Sequence, residues 1–244
     1  FSPDGKWIAY YGREGRGDWW KQTRLWVVPA DGTGAARNLT EKYDFNVSSG
    51  TINDMGSPAM MPPPWANDGN TLYFQVAHHG NTVLKSASLD GDNPDRAGQV
   101  LQTVIDDEGV VGAFSFDKAQ SKLAYFHGTM TDPGQVWVRH LSTGRSRQLT
   151  QVNGNLLQAI ELGEIEEVWF KGAADNELQG WILKPPDFDA SQKYPSILEI
   201  HGGPRVQYGN FFMHEFYYFA AHGYVVYFCN PRGGQGYGEA HAKS

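Results

Sequence analysis

The sequence SILEIHGGP at residues 196–204 decides the fold of this chain. Its first five residues are mostly apolar, which predicts a short strand that is buried on both faces. The strand runs into His201 and then into Gly202 and Gly203. A glycine presents its backbone N–H with no side chain in the way, and such N–H groups stabilise the negative charge that develops on oxygen during acyl transfer. The motif therefore predicts a buried strand that ends in a loop able to hold an oxyanion.

The residues on either side of this motif predict the other elements of an α/β domain. Strands are expected at 166–170, 179–183 and 224–228, and a helix is expected at 211–221. The first two strands flank a turn at 174–176, and the helix stops near Gly223. The order strand, glycine loop, helix and strand is the opening of a doubly wound α/β domain. We place this domain at residues 156–244.

The first 155 residues contain a repeated pattern. An aromatic residue, two further residues, an aspartate, a turn and a short apolar strand recur in FSPDGKWIAY at 1–10, WANDGNTLYF at 65–74 and FSFDKAQSKLAYF at 114–126. Repeats of a few tens of residues, with about four short strands in each, are typical of a β-propeller. The shared aspartates are expected to accept hydrogen bonds from the backbone of their turns rather than to catalyse a reaction. They are Asp4, Asp68 and Asp117.

Four motifs in this order resemble the prolyl oligopeptidase family of serine peptidases, and within it the acylaminoacyl-peptidase and dipeptidyl-peptidase-like branch. They are FSPDGKWIAY at 1–10, GWILKP at 180–185, HGGP at 201–204 and NPRGGQGYG at 230–238. The resemblance covers the whole chain. It predicts a partial β-propeller of about three blades at residues 1–155, followed by the N-terminal part of an α/β-hydrolase domain at 156–244. About three blades are too few to close a ring, so further blades are expected before Phe1.

The resemblance also implies roles for particular residues. Gly203 would present its N–H to the oxyanion, Gly202 would belong to the same loop, and His201 would support that loop rather than act as a base. Arg232 would border the active site, either by fixing its loop or as a plain surface arginine. The Ser–Asp–His triad is expected beyond Ser244, because the chain contains no G-x-S-x-G sequence. The 244 residues alone are therefore expected to be inactive.

Composition limits the ligands that the chain is expected to bind. The net charge is −7 and no basic stripe is present, which argues against nucleic acid. No apolar run approaches the roughly 20 residues that a membrane span needs. Cys229 is the only cysteine, so no disulfide within the chain is expected and the compartment stays open. No cofactor is expected, because neither a P-loop lysine nor a full dinucleotide-binding motif is present.

A metal site at the adjacent His78 and His79 is not expected. On a strand, neighbouring side chains face opposite sides, so the two rings would not reach one ion. Another cluster, the acidic residues between Glu161 and Glu167, either binds a substrate amine or forms a solvated edge.

The function predicted is that of a serine peptidase acting on short peptides through an acyl-enzyme, with the propeller restricting access. Two alternatives remain open at this point: an ester hydrolase of the same fold, and a propeller that binds without catalysis. The expected partners are a short peptide substrate and the remainder of the same polypeptide. If the chain ended at Ser244, association between copies would also be expected, because the sheet would have an open edge and uncovered apolar faces.

Overall fold

A computed structural model describes residues 1–56, 61–92 and 101–243. In these ranges the chain forms fourteen strands in three sheets and three short helices. The strands are β1 (Trp7–Gly12), β2 (Arg24–Pro29), β3 (Arg37–Asn38), β4 (Thr71–His78), β5 (Asn81–Ser88), β6 (Leu101–Ile105), β7 (Val110–Phe116), β8 (Lys122–Gly128), β9 (Gln135–His140), β10 (Ser146–Gln148), β11 (Ile165–Lys171), β12 (Glu177–Leu183), β13 (Ser196–Glu199) and β14 (Val225–Cys229). The helices are α1 (Gly154–Gln158), α2 (His214–Ala221) and α3 (Glu239–Ala242).

The first two sheets contain the sequence repeats. Strands β1, β2 and β3 form an antiparallel sheet in that order. The second sheet has the order β10-β9-β8-β7-β5-β4, with β6 also paired to β5. A single parallel contact between Thr82 and Val110 joins β5 to β7, so this sheet consists of two antiparallel groups, β4–β6 and β7–β10. Each of the three sequence repeats thus corresponds to one antiparallel group of strands.

The repeated aspartates organise the turns of these groups, as the sequence predicts. All three accept backbone hydrogen bonds from residues that follow them, and they are Asp4, Asp68 and Asp117. The Oδ1 atom of Asp68 accepts from the N–H groups of Asn70 at 2.8 Å and Thr71 at 2.9 Å. Partial burial raises the pKa of Asp68, but these hydrogen bonds outweigh it and hold the pKa below its usual value.

The third sheet has the order β11-β12-β14-β13, and only the β13–β14 pair is parallel. Helix α2 lies against β12 and β14 and completes a core on one face of this sheet. The buried side chains of this core are Trp181, Leu183, Tyr208, Phe212, Phe216, Tyr217, Ala220, Val226 and Phe228.

Residues 196–199 form the predicted strand, but the prediction that it is buried on both faces is wrong. Strand β13 lies at an edge of the sheet, where Leu198 is 62% exposed. Ile200, directly after the strand, is 71% exposed. Tyr227 is the neighbour of Leu198 on β14 and is also exposed. Helix α2 therefore covers one face of the sheet, whereas the other face is exposed to solvent around these side chains.

The helix of the third sheet begins later than predicted, at His214 rather than at 211. Phe211 and Phe212 are buried before the helix starts, so their apolar character reflects core packing and not helix formation. Asp54 fixes the start of the helix, since its two carboxylate oxygens accept the N–H groups of His214 at 2.8 Å and Glu215 at 2.6 Å. These N–H groups have no partner within a helix, and the cap comes from the repeat region.

A buried polar junction joins the third sheet to the repeat region. The side chain of Gln207 is fully buried and donates to the Thr51 hydroxyl at 2.7 Å and to the Asn81 carbonyl at 2.9 Å. Its oxygen accepts from the N–H of Gly80 at 3.2 Å. Gly80 has a φ of +75°, and a Cβ there would lie 2.8 Å from the ring of Trp181. Close contact between the two regions therefore requires a glycine at this turn.

Candidate functional site

Two glycine-containing loops meet at one edge of the third sheet. Residues 201–204 follow β13 and residues 230–238 follow β14. Because these strands are parallel, their carboxyl ends lie at the same edge, which is where α/β proteins place their sites. The two loops are in contact, since the N–H of Gln235 donates to the Val206 carbonyl at 3.2 Å.

Gly203, the predicted oxyanion donor, lies on an exposed part of the first loop. Both Gly202 and Gly203 are exposed. Within the described part of the chain, the N–H of Gly203 donates to no acceptor, so it is free to bind an incoming group. Gly203 has a φ of +125°, and a Cβ there would lie 3.0 Å from Val206, whereas a Cβ on Gly202 would meet open space. The second glycine of the pair, and not the first, is the one that the backbone requires.

His201 lies beneath this loop. Its Nδ1 atom donates to the carbonyl oxygen of the neighbouring Gly202 at 2.9 Å. The ring packs edge-on against Tyr208, with 4.9 Å between ring centroids. Its Nε2 atom is buried and has no hydrogen-bond partner among the described residues. These contacts fit a histidine that supports the loop, and that role stays a prediction.

Asn230 ties the second loop to the segment that follows the HGGP loop, and sequence reasoning did not single it out. Its side chain is fully buried, accepts from the N–H of Tyr208 at 2.7 Å and donates to the carbonyl of the same residue at 2.8 Å. It also donates to the Tyr237 hydroxyl at 2.7 Å. The sequence did contain a signal for this role: an asparagine directly before a proline, at the end of a buried strand. A buried amide needs several hydrogen-bond partners.

Arg232 lies on the outer side of the second loop. Its guanidinium is exposed and donates to the carbonyl of Lys243 at 3.0 Å. The residue lines an open cleft and fastens its own loop to the segment after α3. Among the described residues, Arg232 therefore makes no hydrogen bond or ion pair with the HGGP motif.

Carboxylates lie close to the end of β13. Burial, together with the nearby carboxylate of Glu215, raises the pKa of Glu199. Burial and the same two carboxylates raise the pKa of Tyr208 to about 12. The Tyr208 hydroxyl therefore stays protonated at neutral pH and remains a hydrogen-bond donor at this edge.

The reasoning about the two adjacent histidines is wrong in its geometry. His79 follows β4 with a φ of +44°, so it has left the strand. Its ring stacks on that of His78, with 4.1 Å between centroids, instead of pointing to the opposite face. Burial lowers the pKa of both rings, and the proximity of His79 adds to the effect at His78. The described residues contain no group of three or more side chains suited to hold a metal ion.

The acidic stretch from Glu161 to Glu167, which runs into β11, is partly neutralised. The ammonium of Lys184 lies 3.4 Å from Glu164 and 3.1 Å from Glu166. Glu167 accepts from the indole N–H of Trp169 at 2.8 Å. Among the helices of the described ranges, none is both long and apolar enough to cross a membrane.

Comparisons with known proteins place this site in a wider context. The family model of acetyl xylan esterase matches residues 125–244. An uncharacterised peptidase of Bacillus subtilis, YuxL, is 27% identical over 220 residues, which cover 89% of this chain and 32% of the relative. Dipeptidyl-peptidase 5 of Porphyromonas gingivalis is 27% identical over 241 residues, covering 98% of this chain and 32% of that protein.

A solved structure agrees with these sequence matches. Acylaminoacyl peptidase of Pyrococcus horikoshii superposes with a TM-score of 0.74 at 25% identity, covering 98% of this chain and 33% of the other. The chain thus spans about a third of the length of the relatives it matches. The chain is thus similar to α/β-hydrolases, and the matches confirm its resemblance to the prolyl oligopeptidase family. The relatives named above carry the names of peptidases.

Proposed function

We propose that this chain is part of a serine-type peptidase that acts on short peptides through an acyl-enzyme. The observation that carries the proposal is the free N–H of Gly203 in a left-handed loop at the carboxyl end of β13. A preorganised N–H of this kind stabilises an oxyanion without having to reorganise during the reaction. The nucleophile, base and orienting acid of the triad lie outside the 244 residues in this proposal.

The choice of peptides as substrates rests on the relatives. Their names describe a dipeptidyl-peptidase and an acylaminoacyl peptidase. We further propose that residues 1–155 are propeller blades that restrict substrates to short peptides. The division of the repeat sheets into three antiparallel groups supports this arrangement.

The test replaces the Gly203 amide by an ester in the longer polypeptide that carries the triad. Incorporating glycolic acid at position 203 removes the N–H and keeps the freedom that a φ of +125° requires. We expect kcat on a chromogenic dipeptide substrate to fall by about 10²–10³, with little change in KM. Steady-state kinetics measure both parameters.

Gly202 provides the matched control. A Cβ at this position meets open space, so Gly202→Ala is expected to retain kcat within a few-fold. An unchanged kcat in the folded Gly203 ester variant would place the oxyanion donor elsewhere. Saturable peptide binding with no hydrolysis in the longer polypeptide would instead support a binding module.

Ester hydrolysis is the second candidate, and the acetyl xylan esterase match over residues 125–244 favours it. A dipeptidyl amide and a simple acetyl ester, assayed side by side, separate the two activities. We expect the dipeptidyl amide to be hydrolysed with a kcat/KM that exceeds that of a simple acetyl ester. A strong preference for the acetyl ester, together with resistance of the amide, would assign the protein to the esterases.

The 244 residues by themselves are proposed to be inactive. They contain no G-x-S-x-G sequence, and loss of a serine triad lowers kcat by about 10⁶. We expect the 244 residues not to hydrolyse acyl-aminoacyl or dipeptidyl substrates at a rate that is sensitive to a serine-directed inhibitor. Turnover at an enzyme-like rate that such an inhibitor blocks would contradict this proposal.

A further inference from the structure

An open cleft of about 720 Å³ lies where the repeat region meets the third sheet. It is lined by His79 from the turn after β4, by Trp169 and Glu177 from the β11–β12 hairpin, and by Arg232, Tyr237 and His241 from the last segment. Its volume falls in the range of about 300–1,000 Å³ that is typical of small-ligand sites. The residues of the HGGP motif are not among its lining.

Aromatic rings form the wall of the cleft. The ring of His79 stacks on that of Tyr237 at 5.2 Å and meets the edge of Trp169 at 5.4 Å between centroids. The polar atoms of the two larger rings already have protein partners: the Tyr237 hydroxyl bonds to Asn230 and Gln179, and the Trp169 indole N–H bonds to Glu167. The ring of Tyr237 also packs on that of His241, with 4.8 Å between centroids. The ring that offers a ligand open stacking surface is therefore that of Trp169, which is 46% exposed.

Opposite charges lie on the rim of the cleft. Glu177 and Arg232 are both exposed, and neither takes part in an ion pair among the described residues. A carboxylate and a guanidinium at one cleft match the ammonium and carboxylate of a zwitterion. Burial lowers the pKa of His79 and of His241, so both rings are uncharged at neutral pH. The aromatic surface of the cleft is therefore neutral.

We propose that this cleft binds a short peptide with free termini and an aromatic side chain, at a position separate from the HGGP loop. The aromatic side chain stacks on Trp169, the ammonium group faces Glu177 and the carboxylate faces Arg232. The choice of a peptide rather than another zwitterion rests on the proposed function. The cleft is then a second candidate site on this chain, besides the HGGP loop.

Isothermal titration of the 244-residue chain with the dipeptide Gly-Phe tests this proposal. We expect saturable binding that Trp169→Ala weakens by about tenfold, the upper range for loss of one aromatic contact. N-acetyl-Gly-Phe-amide, which lacks both charges, is expected to bind at least about tenfold more weakly than Gly-Phe. Arg232→Gln should weaken Gly-Phe and leave the blocked peptide unaffected.

Phe170→Ala is the matched control. Phe170 is the next residue on β11 and is similarly exposed, but it lies on the opposite face and does not line the cleft. Equal effects of the Trp169 and Phe170 substitutions, or no saturable binding to the wild-type chain, would overturn the proposal. Photocrosslinking with a Gly-Phe analogue that carries a benzophenone side chain tests the site without mutation. We expect crosslinks at Trp169 or Tyr237. Crosslinks found only at other residues would also overturn the proposal.

The design separates this proposal from the proposed function. Replacing the Gly203 amide affects hydrolysis by the longer polypeptide and should leave Gly-Phe binding to the cleft unchanged. Hydrolysis of peptides without binding at the cleft refutes the second site alone. Binding at the cleft without hydrolysis refutes the peptidase alone.

Discussion

The repeat region and the third sheet differ in how their strands are covered. Strand β5 in the repeat region has no exposed residue, and its neighbours pack into two buried clusters. In the third sheet most residues of β11 are exposed, and β13 has Leu198 on a bare face. Strand β5 of the repeat region is therefore buried on both faces, whereas the third sheet has a core on one face only.

This difference shows which contacts stabilise each region. The turns of the repeat region are stabilised by aspartates that bond to the next few residues. The third sheet depends on distant partners, since Asp54 caps α2 and Thr51 holds Gln207. Local contacts form independently in each repeat, but the third sheet needs the repeat region in place.

Trp181→Ala is expected to have the largest effect on stability. Trp181 is fully buried in the core of the third sheet and packs against Gly80 of the repeat region. We expect the free energy of unfolding in urea to fall by about 3–5 kcal/mol, with one transition for both regions. Trp169→Ala on the neighbouring strand is the control and should change stability far less. Separate transitions for the two regions would show that they unfold independently.

Leu198→Lys tests the bare face of the third sheet. We expect the wild-type chain to associate with increasing concentration, because burial of one leucine contributes about 1.5–3 kcal/mol. The substitution should weaken association by at least about tenfold in sedimentation velocity. Leu149→Lys changes a leucine of the repeat region that is 47% exposed, and it should have little effect. A monodisperse wild-type monomer at all concentrations would contradict this prediction.

Gln207→Ala tests the junction between the regions. The substitution leaves the Gly80 N–H without its buried partner, which costs about 1–3 kcal/mol. Hydrogen exchange of the Gly80 amide should become faster together with the loss of stability. Gln192→Ala, at an exposed position, serves as the control. An unchanged free energy of unfolding would show that apolar contacts alone hold the junction.

Asp68→Asn is expected to have the smallest effect, and that effect depends on pH. The pKa of Asp68 is lowered in the folded state, so its carboxylate stabilises the fold above the unfolded pKa of about 3.9, and this contribution is lost as the pH falls through the lowered value. The wild-type Tm should therefore exceed that of the variant at pH 7, and the difference should shrink towards pH 2. A difference that is constant with pH would mean that ionisation of Asp68 does not contribute.

The sequence predicted more of the turns than of the site. The roles of Asp68 and Asp117 and the β11–β12 hairpin were predictable because their partners lie within a few residues. The stacking of His78 and His79 was not, because a positive φ at His79 breaks the alternation of a strand. Asn230 and the cleft were also missed, since each depends on residues brought together from distant segments.

The sequence by itself determined the repeated turns, the order of the strands and the glycine pair that ends β13, because aspartate, glycine and apolar alternation act over a few residues. Only the tertiary structure decided which glycine is required. Gly203 has a positive φ and lies against Val206, while Gly202 has room for a side chain. The tertiary structure also decided that Trp169, Tyr237 and His79 share one cleft, since contacts between residues so far apart in sequence form only when the two regions pack together.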